Sequence, residues 1–145
     1  DCKMKIVHVI AAARKAEMPV ILIQHIAENN MAPFFNENTP GAEIISDVRS
    51  AVPDAPVVIK HSADAFLRTD LEAVLQKRCV TRLLICGMMT QNCVTFTALS
   101  KEAEKYRPGI LSDCCTTVSE ILHLIALNAL STRVELTVSE NIGKY

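Results

Sequence analysis

Five short apolar runs, separated by stretches of helical period, limit how this chain can fold. Val20-Ile21-Leu22-Ile23, Val57-Val58-Ile59-Lys60, Leu83-Leu84-Ile85-Cys86, residues 110–112 and residues 134–138 read as strands. The run Val20–Ile23 is apolar throughout rather than alternating, as in a parallel strand covered on both faces. Before it, Ile6, Val9, Ile10 and Ala13 fall at i, i+3, i+4 and i+7, the apolar stripe of an amphipathic helix. Leu71, Val74 and Leu75 give a second helix its apolar face, and helices are expected over 94–105 and from about 118 to 130. Thr69 with Glu72, and Thr117 with Glu120, have the spacing of capping boxes. Repeated β–α units predict an α/β fold of three layers, α-β-α, around a doubly wound, Rossmann-like parallel sheet. With 145 residues, half of them hydrophobic, the chain can bury one core and has no room for two, so residues 1–145 form a single domain. Ligands of such folds bind beyond the carboxyl ends of the strands. The polar, proline-dotted connection from Ala27 to Pro56 is of the kind that shapes a site there.

Charge and composition remove several classes of function. Fifteen basic and sixteen acidic residues are interspersed, and aromatic residues make up 4% of the chain, so nucleic-acid binding has neither a basic stripe nor stacking platforms. No apolar run approaches the roughly 20 residues that cross a bilayer, and the first residues do not read as a signal peptide. Six cysteines could form three disulfides, yet Cys79, Cys86 and Cys93 are spread over strand and helix segments, which fits reduced thiols and a cytoplasmic protein. No Cys-x-x-Cys is present, and the adjacent Cys114 and Cys115 read as structural.

The chemistry concentrates in Gly87-Met88-Met89-Thr90-Gln91-Asn92-Cys93-Val94. A glycine closes the strand, Thr90 is placed to cap, and Cys93 falls in the first turn of the next helix. Unpaired N–H groups and the positive dipole end at such a terminus favour thiolate over thiol, which suits a nucleophile. A small buried thiol is the other reading of the same context.

This stretch resembles the nucleophile turn of the isochorismatase-like cysteine hydrolases, the superfamily of nicotinamidases, N-carbamoylsarcosine amidases and isochorismatases. A second match is Val57-Val58-Ile59-Lys60 with Ala65-Phe66 and Thr69-Asp70-Leu71, and a weaker third is residues 111–117. The resemblance covers the chain from about Pro19 to its end. It implies Cys93 as nucleophile, attacking an amide, carbamoyl or ureido carbonyl to form a thioester that water hydrolyses. Lys60 would be its cationic partner, and the backbone N–H groups of Met89 and Cys93 the oxyanion hole. A cis peptide between Met88 and Met89 would turn the first donor inward. Phe66 could wall the pocket, although plain core is the commoner fate of such a residue. His25 would line the pocket or simply end its strand. A small-molecule substrate and a homo-oligomer are implied, with no nucleic acid and no membrane as partners.

One element of the family pattern has no counterpart. The general base is an aspartate ending a first strand in an Asp-x-Gln run, and here the first helix begins almost at once, so that strand is expected to be absent from residues 1–145. Asp1 is the candidate remnant of that aspartate, although no strand precedes it and no Gln follows two residues later; Asp64 and Asp113 belong to other loops. A parallel sheet without its central strand would leave ladder groups exposed. The base is therefore expected upstream of Asp1; failing that, the chain is a non-catalytic member acting in binding or assembly. Nicotinamidases hold a divalent ion through an aspartate and histidines after the second strand. Gln24-His25 stands alone there, with no second histidine before His61, so neither metal nor other cofactor is expected. True isochorismatases cleave a vinyl ether without the cysteine, and Cys93 argues against that chemistry.

Overall fold

A computed structural model describes residues 1–145. Helix α1 (Cys2–Lys15) opens the fold, capped by the Asp1 carboxylate, which accepts from the Lys3 N–H at 3.1 Å. Val9, Ile10 and Ala13 are buried along it, as their spacing predicts. Then follow β1 (Leu22–His25), α2 (Ser46–Ala51), β2 (Val57–Lys60), α3 (Leu71–Lys77) and β3 (Leu84–Met88). A π-type turn, Thr90–Val94, leads into α4 (Thr95–Ala98), and β4 (Gly109–Thr116), α5 (Glu120–Leu130) and β5 (Glu135–Thr137) complete the order.

Every strand pairing is parallel. β1 pairs with β2 and β3–β4–β5 form a second ladder, with no strand bridging the two sheets. Neighbouring residues of β4 show the layering: Ile110 packs with Val94, Ala98 and Leu130, whereas Leu111 packs with Val9 and Ile142. Successive side chains of a strand point to opposite faces, so α4 and α5 cover one face and α1 the other. The same division holds at β1 and β2, where Leu22 packs with Ile10 and Val52, and Val58 with Leu71 and Leu75.

The strands begin within two residues of their expected positions, but four details differ. Ile23, read as part of a strand buried on both faces, is 38% exposed. The helix expected over 94–105 stops at Ala98. The Thr95 hydroxyl donates to the Thr90 carbonyl, Thr97 binds the Ala63–Ala65 loop, and Ser100 bonds Glu102, local contacts that compete with helix continuation. Neither capping box forms. The Thr69 hydroxyl donates to the Ala65 carbonyl and accepts from the Leu71 N–H; α5 starts without a side-chain cap, and the Thr117 hydroxyl is buried without a partner. Thr90 likewise caps nothing and bonds instead across to β4.

Candidate active site

Lys60 is the last residue of β2 and 3% exposed. Alternation along β2 places Val58 and Lys60 inward and Val57 and Ile59 outward. A buried ammonium must be fully hydrogen-bonded. The Lys60 Nζ meets the Ser62 carbonyl at 2.6 Å, the His25 Nδ1 at 2.9 Å, the Ala63 carbonyl at 3.2 Å and the Cys93 Sγ at 3.3 Å. Four acceptors thus surround three N–H protons, and a lysine offers no lone pair in its charged form. The contact with His25 therefore makes its Nδ1 the acceptor and leaves the proton on Nε2. Burial, and then the charge of Lys60, lower the His25 pKa below its ordinary 6.5 and favour this neutral ring. The ring also lies against Phe35, centroid to centroid 4.9 Å.

Cys93 lies in the π-type turn before α4 rather than in the first turn of the helix itself. The turn is reached through Gly87, at φ 118°, a conformation L side chains rarely adopt. Pairing with β4 shifts at that point: between Ile85 and Gly87 β3 advances two residues, while β4 advances five, from Ile110 to Cys115. The Met88–Met89 peptide is cis, and the Met89 carbonyl accepts from the Asn92 and Val94 N–H groups at 3.0 and 3.3 Å. Met89, Thr90 and Cys93 are thereby held on one tight loop. The Thr90 side chain is fully buried at its start.

Of the residues read from the sequence, Lys60, Cys93 and His25 come together, with Met88 and Met89 just before the cysteine turn. Phe66 does not join them: it is buried in the core between β2 and α3, stacked on Tyr106 with centroids 6.2 Å apart. Asp1 caps α1. Asp64 accepts from the Phe66 N–H, and Asp113 is held by Ser139 and Lys5. Burial pushes the Asp113 carboxyl up, but the hydrogen bonds from Ser139 and Lys5 outweigh it and hold the group below the usual carboxylate range. No carboxylate contacts Lys60 or Cys93. A metal of the nicotinamidase kind does not fit these residues: the His25 Nδ1 is taken by Lys60, the His61 Nδ1 binds the Ile26 carbonyl, and no three His, Cys, Asp or Glu side chains converge. Sequence reasoning missed His123, whose Nδ1 lies 2.9 Å from the Thr90 hydroxyl. The available signal was a single imidazole on the apolar helix Glu120–Leu130.

A cleft of about 380 Å³ opens at the carboxyl ends of β1 and β2, lined by Ile26, Ala27, Glu28, Glu37, Ile59 and His61. A second, of about 390 Å³, is bordered by Arg82, Pro108 and Val134 at the amino ends of β3–β5, the far end of the sheet from Cys93.

Fold and site together define a three-layer α/β protein with a lysine-backed thiol at the carboxyl ends of its parallel strands. The sequence pattern of the isochorismatase domain matches residues 3–141, and this chain belongs to the isochorismatase family. It is 38% identical over 106 residues to the isochorismatase family protein YddQ of Bacillus subtilis, covering 73% of this chain and 58% of that protein. It is 28% identical over 129 residues to nicotinamidase 3 of Arabidopsis thaliana, covering 79% and 63%. The chain spans between 44% and 63% of the length of the curated relatives it matches. The crystal structure of an Oleispira antarctica protein classed as an isochorismatase hydrolase superposes with a TM-score of 0.85 at 28% identity, covering 94% of this chain and 78% of that one. No helix is long and apolar enough to cross a membrane.

Proposed function

We propose that the chain carries the nucleophile and cation of a cysteine hydrolase that cleaves a C–N bond in a small amide, carbamoyl or ureido substrate. The observation that carries this reading is the buried Lys60 ammonium 3.3 Å from the Cys93 sulfur. A cation at that distance faces the negative charge that develops on the reacting atoms. Cys93 gives its thiol proton to a general base as the sulfur attacks the carbonyl carbon, and the C–N bond breaks as that proton passes to the departing nitrogen, which leaves as ammonia or an amine. Water then adds to the thioester and the C–S bond breaks, giving the acid and regenerating the thiol. Met89 and Cys93 N–H groups receive the oxyanion in both steps. The likeness to a nicotinamidase supports the amide class of substrate. This scheme needs a general base beyond Cys93 and Lys60, the role that the family pattern gives to an aspartate.

A second reading, a family member that binds without turnover, is favoured by the lack of any carboxylate on Lys60 or Cys93. Incubation with primary amides, N-carbamoyl and ureido compounds separates the two, reading ammonia release and acylation of the Cys93 peptide by mass spectrometry. Acyl-Cys93 with release supports the hydrolase; neither, across the whole panel, leaves the binding reading. Turnover of a vinyl ether substrate by the Cys93→Ala variant would instead bring in isochorismatase-type chemistry.

A further inference from the structure

We propose that His123 is a positioning residue that locks the nucleophile turn through the Thr90 hydroxyl; the inference rests on the reading of Cys93 as nucleophile. Thr90 is the first residue of the turn, directly after Met89 and three before Cys93, and its side chain is fully buried. Its hydroxyl contacts two groups: the Thr116 carbonyl at the end of β4, at 3.1 Å, and the His123 Nδ1 on α5, at 2.9 Å. A hydroxyl has one proton and two lone pairs. A carbonyl can only accept, so the Thr90 proton goes to Thr116. The His123 contact is then an N–H donating to the Thr90 oxygen, which fixes the neutral ring as the Nδ1–H tautomer. The tautomer is thus opposite to that of His25, where Lys60 requires Nδ1 to accept.

The consequence is a three-way tie. β3 delivers the turn, β4 supplies the Thr116 carbonyl and α5 supplies the imidazole, so the loop bearing both oxyanion donors is fixed against two further elements at one buried atom. Met89 has a second anchor of its own, its carbonyl accepting from Asn92 and Val94, but those bonds stay within the turn and do not fix where the turn sits. His123 touches no substrate in this scheme. It acts through Thr90, holding Cys93 at its distance from Lys60 and aiming the Met89 N–H.

The test compares His123→Asn with His123→Leu. The Asn Nδ2 occupies nearly the place of the imidazole Nδ1 and can donate to Thr90; leucine fills the space without a donor. Long-range ¹H–¹⁵N spectra of the imidazoles should show His123 as the Nδ1–H tautomer in the parent. His123→Leu should speed hydrogen exchange at the Asn92 and Val94 amides and slow iodoacetamide alkylation of Cys93 by about fivefold or more, the effect of one lost buried hydrogen bond. His123→Asn should restore both. An Nε2–H tautomer, or a folded leucine variant that alkylates and exchanges like the parent, would overturn the proposal. The two readings can fail separately. If parental Cys93 alkylates no faster than the exposed Cys79, the hydrolase reading fails, and the clamp still stands or falls on tautomer and exchange.

Discussion

The Lys60 ammonium and the Cys93 sulfur are 3.3 Å apart although they stand 33 positions apart in the chain and are carried by strands of two separate sheets. Each is set by its own element: alternation along β2 turns Lys60 inward, and the turn after β3 carries Cys93 to the same carboxyl-end face.

Replacing the nucleophile should separate chemistry from folding. Cys93→Ala removes one half-buried sulfur, leaving a cavity smaller than those of leucine truncations, so the fold should persist. Ammonia release should fall to background, with the thermal midpoint within a few degrees of the parent. Full activity in that variant would end the nucleophile assignment.

Replacing the cation should move the thiol. In Lys60→Met iodoacetamide alkylation of Cys93 at a fixed pH should slow, since the ammonium beside the sulfur is gone. Stability should also fall by about 1–3 kcal/mol, because the Ser62 and Ala63 carbonyls and the His25 ring lose their common donor. An unchanged rate, read peptide by peptide, would show that the two side chains are not coupled.

Acid should destabilise the fold through His25. Burial and the Lys60 charge lower its pKa, so the folded state binds fewer protons than the unfolded chain near the ring's ordinary 6.5. The stability this contributes is present above about pH 6.5 and is lost as pH falls through the lower folded value. Urea titrations between pH 5 and 7 should show this slope in the parent and a shallower one in His25→Gln, whose amide oxygen can still accept from Lys60.

Half-buried Cys86 and the buried Cys114 and Cys115 should act at alkaline pH with the opposite sign. Burial pushes Cys86 and Cys114 up to about 12, and Cys115 also upward. Their contribution is fully present below the unfolded value of about 8.5 and is lost as pH rises towards 12. Alkylation of the folded protein at pH 8 should therefore mark exposed Cys79 and spare Cys86 and Cys114.

Gly87→Ala probes the approach to the turn. A Cβ there meets nothing within 4 Å, so the cost is conformational: φ 118° is glycine territory, worth about 1–3 kcal/mol. Denaturant midpoints should fall accordingly, and Cys93 alkylation should slow as the turn shifts.

What the sequence made legible follows the physics of each signal. Strand starts and the buried stripe of α1 are averages over several side chains, and the starts emerge within two residues of expectation, although β4 runs on to Thr116 where its end was expected at 112. Caps depend on one hydroxyl choosing one partner. Thr69, Thr90 and Thr117 each had the right spacing, and each was decided by tertiary neighbours: the Ala65 carbonyl, the Thr116 carbonyl, and burial without a partner. The short α4 has the same origin, in threonines engaged elsewhere. Pairing of Lys60 with Cys93 could not be read from spacing alone, since it joins distant segments; the resemblance supplied it. His123 lay outside every motif, and only its reach to a buried hydroxyl gives it a role.

The placement of the pair on two ladders also makes it a reporter. Lys60 ends one ladder and Cys93 follows the other, so the ammonium–sulfur contact registers how the two are docked. A substitution that displaces one ladder against the other should change Cys93 alkylation while leaving helix content, read by far-UV circular dichroism, unchanged.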